Sequence, residues 1–239
     1  MERLRKCAEE MGIKLTDEQL TMFQTYYEMM VETNKVMNLT AITEIDQVIN
    51  KHFIDSISLV KVYPDLLSSD VSLNILDLGT GAGFPGIPLK IAFQNIKILL
   101  MDSLNKRVKF LKSVIDELDL ADIDAVHGRA EEMARKTEYR EQFDLCVSRA
   151  VANLSTLSEY CLPFVKVSGK LISYKASDID EEIRSASNAI NILGGNLTEV
   201  KKIIVPGSEI ERSFIIIDKT GKTPKTYPRK AGTASKKPL

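Results

Sequence analysis

Leu20, Phe23, Tyr27, Met30 and Val31 recur at helical spacing, and Thr16-Asp-Glu-Gln19 before them has the form of a capping box. A second helix opens at Thr43-Glu-Ile-Asp46, keeps Ile49, Phe53, Ile57 and Val60 on one face, and meets its stop at Pro64. NLTAIT, between the two, reads as a connecting turn. From Asn74 onward the pattern changes to short apolar runs alternating with helical ones. NILDL, Ile96–Asp102, Ile123–Gly128, Phe143–Ser148 and Lys170–Tyr174 read as strands. Lys106–Leu118 and Ile179–Leu193 read as helices, the second stopped by Gly194-Gly195. Leu197–Val205 and Arg212–Asp218 are two further strands, and the turn PGSE joins them too tightly for a helical crossover. They are predicted to pair antiparallel.

This alternation specifies an α/β fold, a mostly parallel sheet covered on both faces with an antiparallel C-terminal hairpin. The organisation predicted is an N-terminal helical cap (1–70), a main domain (71–218) and a tail (219–239). A chain of 239 residues, 44% of them hydrophobic, is ample for one such core.

Charge changes the picture at one end only. The net charge of −1 conceals seven basic and no acidic side chains from Lys219 to Leu239, leaving 25 basic and 33 acidic side chains, a net of −8, on the rest. An acidic body with a basic end points to a polyanionic partner on that side, although a basic terminus is more commonly just solvated. Cys7, Cys146 and Cys161 are an odd count without C-x-x-C spacing, so neither disulfides nor a metal site is expected. A reducing cytosol fits best. No apolar run approaches the roughly 20 residues that span a bilayer. MERLRKCAEEMG lacks the apolar core of a signal peptide, so a cytoplasmic protein with no membrane contact is expected, and a monomer is the expected state without a sequence signal to fix it.

The candidate chemistry begins in LDLGTGAGFPGIPLK (Leu76–Lys90). Gly81-Ala-Gly83-Phe-Pro-Gly86 matches the G-x-G-x-x-G of dinucleotide sites, whereas Asp77-Leu-Gly79-Thr-Gly81-Ala-Gly83 has the pattern of S-adenosylmethionine (SAM) sites. Gly79, Gly81 and Gly83 allow a sharp turn and close approach to a ligand. Asp102 ends the next strand, where a carboxylate accepts ribose hydroxyls in either cofactor. Asp77 breaks the tie, since its charge would repel a pyrophosphate but suits the ammonium or sulfonium side of SAM. Pro85 and Pro88 also remove N–H donors that phosphate would need. The closing hairpin, in place of a second βαβαβ half, agrees with SAM as the cofactor.

NLTAIT (Asn38–Thr43), HFIDS (His52–Ser56), DLGTGAGFPGIPL (Asp77–Leu89), DSLNKRVKFL (Asp102–Leu111), GRAE (Gly128–Glu131), SRAVA (Ser148–Ala152) and YPRKAGT (Tyr227–Thr233) occur in this order. In these motifs, over nearly its full length, the chain resembles the bacterial small-subunit rRNA guanine-N7 methyltransferases, also called glucose-inhibited division protein B. One departure is Thr33, where the family carries tryptophan. The resemblance implies a SAM-dependent methyltransferase (Rossmann-like) fold and methyl transfer to N7 of one guanine in 16S rRNA, near the decoding region. It implies that Gly79 and Phe84 lie at the methionine and adenosine side of the cofactor, Ala130 and Glu131 beside the adenine, and Arg149 at the cofactor and the mouth of the active site.

The residues agree with undemanding chemistry. Guanine N7 is an exposed lone pair, so its methylation needs positioning rather than a strong base. Ser148-Arg-Ala-Val151 stands where amine-methylating enzymes carry Asn/Asp-Pro-Pro-aromatic, and Cys146 lies inside a strand, unsuited to covalent catalysis. Arg149 is the candidate catalytic residue, contacting guanine O6, phosphate or the SAM carboxylate, or else pairing with Glu131 or Glu132. Arg129 either braces Glu131 or tracks the RNA backbone. Tyr227, Arg229 and Lys230 combine a stackable ring with phosphate partners. Removing Lys222–Leu239 is therefore expected to weaken RNA binding and spare SAM binding. His52 and Asp55, three apart on a helix, read as a pair bracing the cap against the glycine loop. The role of Asn38 stays open between a base contact and a turn. The rivals are a small-molecule methyltransferase, a non-catalytic RNA-binding or ribosome-assembly protein and, distantly, a dinucleotide oxidoreductase.

Overall fold

The computed structural model describes residues 1–239 other than Ser69, Val71, Ala150, Ser177 and Asp178. Val71, the expected start of the main domain, and Ala150 of the SRAVA run thus lie outside the described residues.

The capping box at Thr16 forms: Thr16 Oγ1 accepts from the Gln19 N–H at 3.2 Å, and Gln19 Oε1 accepts from the Thr16 N–H at 2.9 Å. It opens α2 (Asp17–Met37), which follows the short α1 (Glu2–Glu9). Asn38 ends α2 in the left-handed conformation, φ 51°, the role of a turn residue. The face buried on α2 carries Tyr26 rather than Tyr27; the Tyr26 hydroxyl donates to Ala82 O at 2.6 Å, tying α2 to the glycine loop. The second helix starts after Glu44 without a side-chain cap, so Thr43 does not cap it. It runs through α3 (Ile45–Val48), a π-helical stretch Ile49–Ile54, α4 (Asp55–Ile57) and a 3₁₀ turn Ser58–Lys61. The wider π turn shifts the helical phase, and the polar Asp55 and Ser56 are wholly buried after it.

The sheet comprises β1 (Asn74–Leu78), β2 (Lys97–Asp102), β3 (Ile123–His127), β4 (Phe143–Arg149), β5 (Val165–Lys175), β6 (Gly195–Ile204) and β7 (Glu211–Lys219). The intervening helices are α5 (Gly86–Ala92), α6 (Asn105–Glu117), α7 (Ala130–Met133), α8 (Leu154–Cys161) and α9 (Asp180–Ile192), and α10 (Thr233–Lys236) follows β7. Strand order is β3-β2-β1-β4-β5-β7-β6, with β1 to β5 parallel and β7 antiparallel to both β5 and β6. The hairpin predicted from PGSE is present, and its second strand is the one inserted next to β5.

Side chains alternate between two cores along each strand. Ile75, Ile98, Leu100, Leu145, Val147, Ile172 and Phe214 join α1, α2, the π-helical segment and α6 in one apolar cluster. The helical cap and the sheet therefore share a single core. Leu76, Met101, Cys146, Leu171, Ile215 and Ile217 face the other way, onto α8 and α9. Among the described residues, no helix is long and apolar enough to cross a membrane.

Residues 219–239 are not a solvated extension. Lys219 is fully buried, donating to Leu162 O at 2.9 Å, Leu193 O at 3.2 Å and Thr223 Oγ1. Burial lowers its ammonium to about 8, opposed by Glu141. Arg140 donates to Thr223 O at 2.9 Å and Tyr227 O at 3.0 Å, and the chain then returns over α8.

Candidate functional site

Strand order reverses between β1 and β4, which lie side by side in register Asp77↔Val147. Their carboxyl ends open at the place where parallel α/β sheets bind ligands. The glycine loop leaves β1 there, and Asp77 holds it from beneath. Asp77 is wholly buried; its Oδ2 accepts from Thr80 Oγ1 at 2.6 Å and from the Gly86 N–H at 2.8 Å, while Oδ1 has no partner among the described residues. The sequence led us to expect this carboxylate on the ligand; the structure places it under the loop. A Cβ on Gly86 would come within 2.8 Å of Asp77 Oδ2, so only glycine fits that contact. Gly79 takes φ 72°, and a Cβ on it would stand 2.5 Å from Val151 Cγ2. It forms a bare spot shared by two cavities.

The first cavity, about 370 Å³, is lined by Gly79, Met101, Asp102, Ser103, Leu104, Gly128, Arg129, Ala130, Glu131, Val151, Tyr160, Gly232 and Ser235. It brings together the predicted Gly79, Asp102, Ala130, Glu131 and Arg129. Asp102 is fixed by the Gly81 N–H on Oδ2 at 3.0 Å and the Leu104 N–H on Oδ1 at 2.9 Å. Arg107 Nη1 reaches the same Oδ2 at 3.4 Å, and Asp102 lines the cavity. Glu131 Oε1 accepts from the Gly232 N–H at 2.9 Å. Arg129 is exposed at the rim.

The second cavity, about 520 Å³, lies across Gly79 and is basic: Lys51, Arg107, Arg149 and Arg212 line it with Thr40, His52, Thr80, Gly81 and Phe84. Phe84 thus faces this side of the loop. Its ring stacks on His52 at 4.4 Å, and the Arg149 guanidinium sits 5.1 Å above it. Asp55, with no exposure, organises the arginines: Arg149 Nη1 donates to its Oδ2 at 2.7 Å, and Arg212 donates to both oxygens at 2.6 and 3.0 Å. Arg149 Nη1 also donates to Lys51 O at 3.0 Å. Its partner is therefore Asp55, not Glu131 or Glu132.

The His52–Asp55 pair read from sequence does not form. His52 Nε2 is 3.0 Å from Thr40 Oγ1 instead, and Asp55 is spent on arginine. Two other expectations change. Arg229 is occupied by Glu159, which it meets through three guanidinium contacts at 2.6–3.1 Å, and Tyr227 packs half-buried on the second core. Both are engaged with the protein itself, whereas Lys230 is exposed. Sequence reasoning missed Arg212, Tyr160, Gly232 and Ser235. Arg212 has no local motif, but Asp55 was a signal, being an acid on a helix whose neighbours are apolar and which therefore demands a buried cation.

Burial first, and the Arg149 charge second, lower the His52 imidazole to about 4. Burial raises Asp77 to about 6, against the bonds from Thr80 and Gly86. The two shifts act oppositely on stability. Between pH 6.5 and 4 the unfolded chain binds a His52 proton that the folded chain refuses, so stability falls on acidification. Between pH 6 and 3.8 the folded chain binds an Asp77 proton that the unfolded chain lacks, so stability rises. Relative to wild type, His52→Gln is expected to gain roughly 2–3 kcal/mol on acidification to pH 4, and Asp77→Asn to lose a similar amount. Denaturant titrations across this range would refute the assignment if all three proteins gave parallel curves.

A family model described as rRNA small subunit methyltransferase G (GidB) matches residues 19–212. The ribosomal RNA small subunit methyltransferase G of Lachnoclostridium phytofermentans is 51% identical over 229 residues, spanning 96% of this chain and 93% of its own length. That of Desulforamulus reducens is 50% identical over 236 residues, spanning 99% and 97%. Among solved structures, a point mutant of MtNAS in complex with S-adenosylmethionine aligns with TM-score 0.56 at 13% identity, covering 91% of this chain and 77% of that one. A SAM-dependent methyltransferase from Aquifex aeolicus aligns with TM-score 0.51 at 15% identity, covering 72% and 92%. At such identities the structures speak for the fold alone, but the sequence matches do more: this chain belongs to the rRNA small subunit methyltransferase G family.

Proposed function

We propose that the protein transfers the methyl group of SAM to N7 of a guanine in 16S rRNA. The observation that carries this reading is the pair of cavities that share Gly79, one suited to a nucleoside and the other lined by four cationic side chains. The first fits SAM: Asp102 takes the ribose hydroxyls, Ala130 and Glu131 flank the adenine, and Gly79 leaves room where any side chain would collide with Val151. SAM supplies there an electrophilic methyl group on a sulfonium. Gly81 and Gly83 shape the loop, and Asp77 holds it in place from below.

The target guanine enters the second cavity, against the Phe84–His52 stack. Arg149 is aimed by Asp55 and Lys51 O and donates to guanine O6 or to phosphate, leaving N7 unbonded for attack. N7 carries no proton to remove, so catalysis is orientation. His52 is neutral and bonded to Thr40, which suits a wall rather than a base. Arg129 and Lys230, exposed near the first cavity, meet the RNA backbone.

The test is tritiated methyl transfer to small-subunit rRNA from a strain lacking this enzyme, with nucleoside mass spectrometry of the product. Label in 7-methylguanosine is expected. Label in another nucleoside would overturn the N7 assignment, and no transfer at saturating SAM would overturn the enzyme reading.

A further inference from the structure

The segment after β7 is charged, Pro-containing and remote in sequence from the glycine loop, yet Gly232 and Ser235 line the first cavity, which reverses the expectation that its removal would spare SAM binding. We propose that residues 223–239 are a strap that completes this cavity and sets how tightly the cofactor's nucleoside is held. The proposal rests on the reading of the cavity as the SAM site.

Two sets of contacts carry it. Inside, Gly232 and Ser235 line the same cavity as Asp102, and the Gly232 N–H bonds Glu131, the residue that flanks the adenine. Gly232 has φ 79°, and a Cβ on it would meet nothing within 4 Å, so open space lies on that side of it. Outside, the strap is fastened by groups that do not line the cavity. Glu159 of α8, 1% exposed, accepts both the Arg229 guanidinium and the Arg229 backbone N–H, the latter at 2.7 Å. Arg135 donates to Pro228 O at 2.5 Å, and Thr156 Oγ1 to Ala234 O at 3.1 Å. Glu159 is a buried acid whose counter-charge comes from the strap alone among its described contacts. Removing Arg229 leaves that charge uncompensated and favours release of the strap.

A cavity wall that is closed only part of the time weakens binding by the fraction closed. If loss of the fastener lowers that fraction to about one tenth, affinity falls about ten-fold. In the full-length protein, Arg229→Ala and Glu159→Gln are each expected to raise the Kd for S-adenosylhomocysteine at least about ten-fold by calorimetry. Arg229→Lys should recover part of the loss. The KM for SAM should rise by more than kcat falls, a split that general damage to the fold would not give.

Trypsin provides a second readout in the wild-type protein. S-adenosylhomocysteine is expected to slow cleavage after Lys225 and Lys230, both exposed on the strap. Unchanged affinity in both variants, or cleavage indifferent to the ligand, overturns the strap and leaves the SAM reading standing. Failure of the wild-type protein to bind S-adenosylhomocysteine at all overturns both.

Discussion

Asp55→Ala is expected to lower folding stability by about 3–5 kcal/mol and to cut methyl transfer at least about 10²-fold. The carboxylate has no exposure and receives three guanidinium contacts at 2.6–3.0 Å. Arg149 and Arg212 themselves are only 11% and 16% exposed. Without Asp55 they face each other as buried like charges, which either unfold locally or swing out to water. Both outcomes remove the cation aimed at the guanine. The first cavity lies beyond Gly79 and keeps its own supports, so binding of S-adenosylhomocysteine should change by no more than a few-fold. Denaturant titration, calorimetry and rRNA methylation of the same preparation check the three parts together. Stability within 1 kcal/mol of wild type, with turnover intact, would show that the arginines find other partners and do not need this acid.

The strands, the long helices and the closing hairpin were legible because each depends on local periodicity or on a turn too short for a crossover. The π-helical turn was not, since Ile49, Phe53 and Ile57 suit a plain α-helix equally well. The first cavity was half legible. Asp102 ends β2, so chain order puts it at the rim, whereas Ala130 and Glu131 were marked only by the family resemblance. Gly232 and Ser235 arrive from more than 100 residues downstream of Glu131 by a path that only tertiary packing determines. Basic composition suggested that this end faces an RNA; burial of Lys219 and the Arg229–Glu159 pair show charge used to fasten the chain to itself. Asp77 illustrates the same limit at one residue. Its position in the motif marked it as important, but whether it faced the ligand or the loop depended on the Thr80 and Gly86 donors around it.

Arg149→Ala is expected to reduce kcat by about 10²–10³-fold, the scale set by removing one preorganised charged donor from an active site. The KM for SAM should move far less, because Arg149 lines the second cavity and not the first. Arg149→Lys should rescue little. One ammonium cannot bond Asp55 and Lys51 O and also sit over Phe84, as the multi-donor guanidinium does at 5.1 Å. A merely structural role would predict the opposite, since lysine also neutralises Asp55. The substitution has a second readout independent of turnover. Burial is the main cause of the low His52 pKa, near 4, and the Arg149 charge is the next. Removing that charge should move the imidazole upward toward 6.5, visible in an NMR titration of the ring. Near-normal kcat in Arg149→Ala would contradict the assignment of this residue to the reacting guanine. Loss of kcat with an unmoved His52 titration would show instead that the guanidinium leaves the Phe84–His52 stack in solution.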